Sequence, residues 1–215
     1  MDTLSYSSDV RQLYALIGPV GAVLVGLSIL SAALILFKTL SIASAGLWRT
    51  ASANEFLRRM SEGDREAVQF LNMSSAPMSR LLLVGARLAE ANEPVARIEA
   101  DMRDAATAYL LKLSRFNRTL ELIGLIAPLL GLLGTILGMI EAFQALQDSG
   151  AQADPTALAG GIWEALLTTA LGLAVAIPAI VAFNLIENRI DVFRQRTSAV
   201  VGRFLANVEA SRSLL

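Results

Sequence analysis

Between Arg118 and Arg189 the chain carries no lysine or arginine, and two long apolar runs lie inside that interval. They cover Leu120 to Ile140 and Ala157 to Ile186, with a third run at Gln12 to Phe37. Crossing roughly 30 Å of hydrocarbon takes about 20 such residues. Lipid offers no partner for a bare amide, so segments of this kind must be helices. The expected fold is an all-α membrane protein with three transmembrane helices. Composition agrees: 54% of the 215 residues are hydrophobic, concentrated in uncharged runs rather than spread along the chain. The net charge of −1 points to neither nucleic acid nor acidic substrates. With no Cys and no His, thiolate chemistry, disulfides, soft-metal sites and the commonest general base are absent. No enzyme and no cofactor is expected.

Charge sets the expected topology. Residues 1–12 are short and slightly acidic, whereas Lys38, Arg49, Arg58 and Arg59 follow the first run. The positive-inside rule then puts 1–12 in the periplasm, a first span at 13–37 and a cytoplasmic helical region at 38–119. The second span is 120–143, the acidic turn 144–156 is periplasmic, and the third span is 157–186. Residues 187–215 form a cytoplasmic C-terminal helix carrying Arg194, Arg196, Arg203 and Arg212. Ala43-Ser44-Ala45 resembles a signal cleavage site, but the preceding run is too long and its leader too acidic, so it reads as a retained span.

Within 38–119, Gly63 should end one helix, Asp64 cap a short second one, and Pro77 open a third. From Pro94, apolar residues recur at helical spacing through Ile98, Met102, Tyr109, Leu113, Phe116 and Leu120. No glycine or proline interrupts them, so one helix from about Val95 to Gln147 is expected, half of it outside the bilayer. Asp154-Pro155 is a strong helix start. The stripe Ile186, Ile190, Phe193, Thr197, Val200, Phe204 and Val208 extends the third span without a break.

Two sets of residues inside the spans stand out. Gly124, Ala127, Gly131, Gly134, Gly138 and Ala142 fall at steps of three and four, a seam of small residues that admits another helix backbone; Gly172 and Pro178 of the third span are also assigned to helix packing. Packing alone accounts for them. Glu164 is different, because an ionised carboxylate at membrane depth costs about 2.5–3.5 kcal/mol even on the lenient insertion scale. It lies roughly 15 Å along the axis from Pro155, near enough for headgroup water to be the bland reading. Thr168 shares its face and Thr169 points away from it, while Thr135 lies beside the glycine seam and is able to bond its own helix. Polar groups on two faces suit a helix between a wet cavity and a neighbouring subunit.

The stretches IAPLLGLLGTILGMIEAF (Ile126 to Phe143) and ALAGGIWEALLTTALGLAVAIPAIVAFN (Ala157 to Asn184), with the three-span layout, resemble the MotA/TolQ/ExbB proton-channel family, closest to its ExbB branch with TolQ second. The resemblance implies a bacterial inner-membrane subunit in a ring-shaped homo-pentamer, surrounding the single membrane helices of an ExbD-like or TolR-like partner. It implies a proton pathway at Glu164, Thr135 and Thr169, with Thr168 an extra hydroxyl. The acid that is protonated and deprotonated would come from the partner helix, and the transported ion would be H⁺. Proton flow would drive a TonB-like or TolA-like protein. A passive membrane scaffold is the competing class.

Overall fold

The computed structural model describes residues 3–44, 51–64, 66–72, 74–149 and 155–213. Arg49 and Asp154, assigned above as a cytoplasmic charge and a helix cap, lie outside these residues. The described residues form seven helices and no strand: α1 (Thr3–Ser44), α2 (Ala51–Ser61), α3 (Val68–Asn72), α4 (Pro77–Glu90), α5 (Val95–Ser114), α6 (Asn117–Ser149) and α7 (Pro155–Ser213). Three stretches are long and apolar enough to cross a membrane, with mean hydropathies of 2.6, 2.3 and 2.3 in their most apolar windows. At most 28% of any of these windows is buried. Leu125, Leu129, Ile136, Trp163, Leu166 and Ile29 all point outward. Exposed apolar surface on this scale belongs against lipid or other chains, not water.

The chain divides into two compact units. Residues 1–36 and 116–184 form the first, built from the opening part of α1, all of α6 and the first half of α7. Its core joins Leu24 of α1 to Ile123 and Ala127 of α6 and to Val175, Ala176 and Ala179 of α7. Half of these are alanines, so the helices approach closely and bury backbone as much as side chain.

Residues 37–115 and 185–215 form the second unit. Here Phe56, Leu57, Leu71, Met78, Leu82, Ile98, Met102, Ile190 and Phe204 are almost completely buried. Phe56 stacks on Phe204 with ring centroids 6.1 Å apart, and Tyr109 packs against Phe193 at 5.5 Å. Two long-range bonds fasten the short helices to α7: Asn207 Nδ2 donates to the Leu57 carbonyl at 3.2 Å, and Arg212 to the Glu93 carbonyl at 2.7 Å. Helices this short have little stability of their own, and these contacts supply the rest.

The helix ends follow their sequence signals closely. At the end of α2, Gly63 takes φ 80 while the Gly63 and Asp64 amides donate to the carbonyls of Met60 and Arg59. Asn92 does the same after α4 at φ 56, with the Asn92 and Glu93 amides on Ala89 and Leu88. Both are left-handed caps that satisfy last-turn carbonyls. Asp64 Oδ1 accepts from the Glu66 amide at 2.9 Å ahead of α3, and Pro77 opens α4 as expected.

Three features correct the sequence reading. The single helix expected from Val95 to Gln147 is broken: Arg115 is extended at φ −54, ψ 135, and Phe116 is left-handed at φ 66. A left-handed non-glycine costs about 1–2 kcal/mol. Part of the compensation is visible at the end of α5, where buried Lys38 donates to the Leu113 carbonyl and Ser114 Oγ donates to Leu110. The Leu113 carbonyl, in the last turn, would otherwise lack an intrahelical partner. Lys38 is therefore a buried cap and not a free loop charge, on a helix that continues to Ser44. The third feature is in α1, which breaks at Gly18, with φ 62 and ψ −175 just before Pro19.

Candidate functional site

The second and third spans meet along the glycine seam, and they do so within one chain. A Cβ on Gly131 would sit 3.1 Å from the Thr168 carbonyl oxygen and from Thr169 Cα; one on Gly172 would lie 2.7 Å from the Ala127 carbonyl oxygen and 3.1 Å from Gly131 Cα. Only glycine allows such approach of two backbones. Gly134 faces Thr168 Oγ1 at 2.7 Å and Gly138 faces Ala165 Cβ at 3.3 Å, again measured from a hypothetical Cβ. Gly124 abuts the Ile180 side chain. Sequence reading missed Gly161, which meets Ala142. The spacing of Gly161, Ala165, Thr168, Gly172, Ala176 and Ala179 would have revealed it as the matching stripe on α7. Pro178 is not part of this contact. It is exposed on α7, where a missing amide hydrogen costs one backbone bond without disturbing the seam.

The polar residues of the spans fall in different places. Thr168 is buried inside the α6–α7 contact and its hydroxyl donates to the Ala165 carbonyl at 2.7 Å. Thr169, half-buried, donates across the helix pair to the Gly131 carbonyl at 3.2 Å. That bond ties α7 to α6 at the point of closest approach. Thr135 donates to Leu132 on its own helix at 2.7 Å and lines a shallow open groove on α6 with Ile136, Met139, Phe143 and Gln147. Glu164 is half-buried between Trp163, which is outward-facing, and Ala165, which is in the seam. Its Oε1 lies 3.2 Å from where a Gly18 Cβ would be.

Among the described residues the four thus fall in three separate places. Thr168 and Thr169 belong to the helix contact, Glu164 sits beside the break in α1, and Thr135 looks out along α6. The arrangement supplies an acid in an apolar bundle and three hydroxyls whose protons are engaged and whose oxygens can still accept. It supplies no nucleophile–base pair.

The description of the MotA/TolQ/ExbB proton channel family matches residues 73–199, well over half of the chain. Among curated relatives, the "Putative biopolymer transport protein ExbB-like 3" of Synechocystis sp. is 32% identical over 80% of this chain and 81% of its own length. "Biopolymer transport protein exbB1" of Vibrio cholerae is 41% identical over 42% of each chain. The "Tol-Pal system protein TolQ" of Haemophilus influenzae is 36% identical over 49% of each. The chain therefore spans most of the first of these and less than half of the other two. The matched region contains the glycine seam, Thr135 and Glu164 alike, and on that ground the chain belongs to the MotA/TolQ/ExbB proton channel family.

Proposed function

We propose that this chain is an ExbB-like proton-channel subunit of the bacterial inner membrane, with its N-terminus periplasmic and its C-terminus cytoplasmic. Copies of it form a ring, a pentamer by family resemblance, around the single membrane helices of an ExbD-like partner. The observation that carries the reading is Glu164, a half-buried carboxylate in an otherwise apolar span. An acid at that depth needs water or polar partners. A wet interior shared between copies and the partner helix meets that need.

In this reading Glu164 and the Thr135 and Thr169 oxygens line the path, and the partner contributes the acid that changes protonation. Thr168 is assigned to packing, because its hydroxyl is committed within the seam. Each proton falling through 100 mV releases about 2.3 kcal/mol, enough to shift a ring between packing states a few kcal/mol apart. That work would reach a TonB-like protein. A TolQ-like role with TolR-like and TolA-like partners is the second reading, favoured by the similarity to the Haemophilus TolQ.

Proton uptake by vesicles carrying both chains tests the proposal. Glu164→Gln should reduce flux at least tenfold, and Thr169→Ala should reduce it less. Unchanged flux in both would leave the passive scaffold as the better account.

A further inference from the structure

Glu164 has a neighbour on α1 that its position in the sequence does not announce. Gly18 adopts φ 62 and ψ −175 in the middle of an otherwise helical segment, and Pro19 follows it. The left-handed φ is one that L-residues with a side chain rarely hold. Pro19 has no amide hydrogen, and after the reversal at Gly18 a new helical segment begins, with proline at its first position. The group found beside this start is a carboxylate: Glu164 Oε1 lies 3.2 Å from the place a Gly18 Cβ would fill. Gly26, further along the same helix, has nothing within 4 Å and no unusual φ. Between these two glycines of α1, the backbone break and the close carboxylate coincide at Gly18.

We propose that the Gly18–Pro19 break is the seat of the Glu164 carboxylate, giving it room at membrane depth, and that Gly18 is a positioning residue for the proton path. The inference rests on the proton role of Glu164 proposed above. It assigns α1 a part in that path through its backbone.

The test uses the full chain in lipid vesicles, with and without the partner. The infrared carboxyl and carboxylate bands of Glu164 are isolated by subtracting the spectrum of Glu164→Gln. Gly18→Ala places a methyl against the carboxylate and should move those bands, while Gly26→Ala should leave them in place. In vesicles with the partner, displacing the acid should lower proton flux on the order of tenfold to a hundredfold. Should Gly18→Ala fail to fold, the unaltered chain carries the test: with 15N-glycine and 13C-glutamate labels, solid-state NMR should show a through-space contact between the Glu164 carboxyl carbon and the Gly18 amide nitrogen, and its absence overturns the seat. Glu164 bands that stay unmoved in a folded Gly18 variant overturn the seat, even where Glu164→Gln abolishes flux. Undiminished flux in Glu164→Gln overturns the proton role itself.

Discussion

The two units of this chain are packed on opposite plans, although α7 runs through both. In the first unit small residues face inward and large ones outward: Ala165, Gly172, Ala176 and Ala179 meet α6, while Trp163, Leu166 and Ile177 are exposed. Below Asn184 the same helix turns Ile186, Ile190, Phe193, Phe204 and Val208 inward and arginines outward. The surrounding medium explains the reversal. In lipid, burying a large apolar side chain gains little, and close backbone contact decides where helices meet. In water, apolar burial is the dominant driving force, and large side chains fill the core.

That contrast can be broken by exchanging the roles. The largest expected effect is in the second unit: Phe204→Ala removes a fully buried ring stacked on Phe56 and should cost about 3–5 kcal/mol. Thermal unfolding should show the loss, whereas Leu166→Ala, which deletes a side chain 61% exposed, should change the midpoint hardly at all. In the first unit the damaging change is an addition. Gly172→Leu pushes a side chain into the Ala127 carbonyl and Gly131 backbone, which have no rotamer to yield, and belongs at or above the top of the usual 1–3 kcal/mol for overpacking. Gly202→Leu in the second unit meets open space and should be tolerated. The seam lies within one subunit, so Gly172→Leu should lower the stability of the monomer fold as well as of any oligomer. Equal tolerance of both leucines would show that the small-residue rule does not separate the units.

Smaller effects sharpen the picture of the second unit. Ser79 is fully buried and its Oγ has no hydrogen-bond partner among the described residues, so Ser79→Ala should be neutral or stabilise by up to about 1 kcal/mol. A fall in stability would reveal a partner for that hydroxyl. On the surface of α2, hydrogen bonds from Arg58 and then Arg59 hold the Glu55 carboxyl at about 2, down from the usual 4.5. A carboxyl lowered in the folded state stabilises fully above its unfolded value, and the contribution fades as pH falls from about 4.5 toward 2. Glu55→Gln should flatten the acid limb of the melting curve by a small amount, since the site is exposed.

Helix ends and spans were legible because their signals are local: Gly63, Pro77 and Pro155 each act through their own backbone. The small-residue seam was legible as a period, although its partner was not. Periodicity shows that a helix face is narrow, and a distance is needed to show that α7 of the same chain fills it. The breaks at Arg115–Phe116 and Gly18 were invisible for different reasons. Neither Gly nor Pro marks Ser114-Arg115-Phe116-Asn117 as a helix end, and the bond that caps α5 there comes from Lys38, 75 positions away. Gly18-Pro19 reads as an ordinary membrane-helix pair until Glu164, 146 residues away, is seen beside it. Sequence placed the acid correctly in an apolar span, and could not see which backbone it faces.

The most direct test of the account is whether position 164 is wet. The chain has no cysteine, so Glu164→Cys and Leu166→Cys each give a single thiol per chain, to be read in vesicles in complex with a cysteine-free partner. The account predicts rapid reaction of the thiol at 164 with a water-soluble reagent and protection of the one at 166, which faces lipid. A thiol at 164 as inert as that at 166 would contradict it.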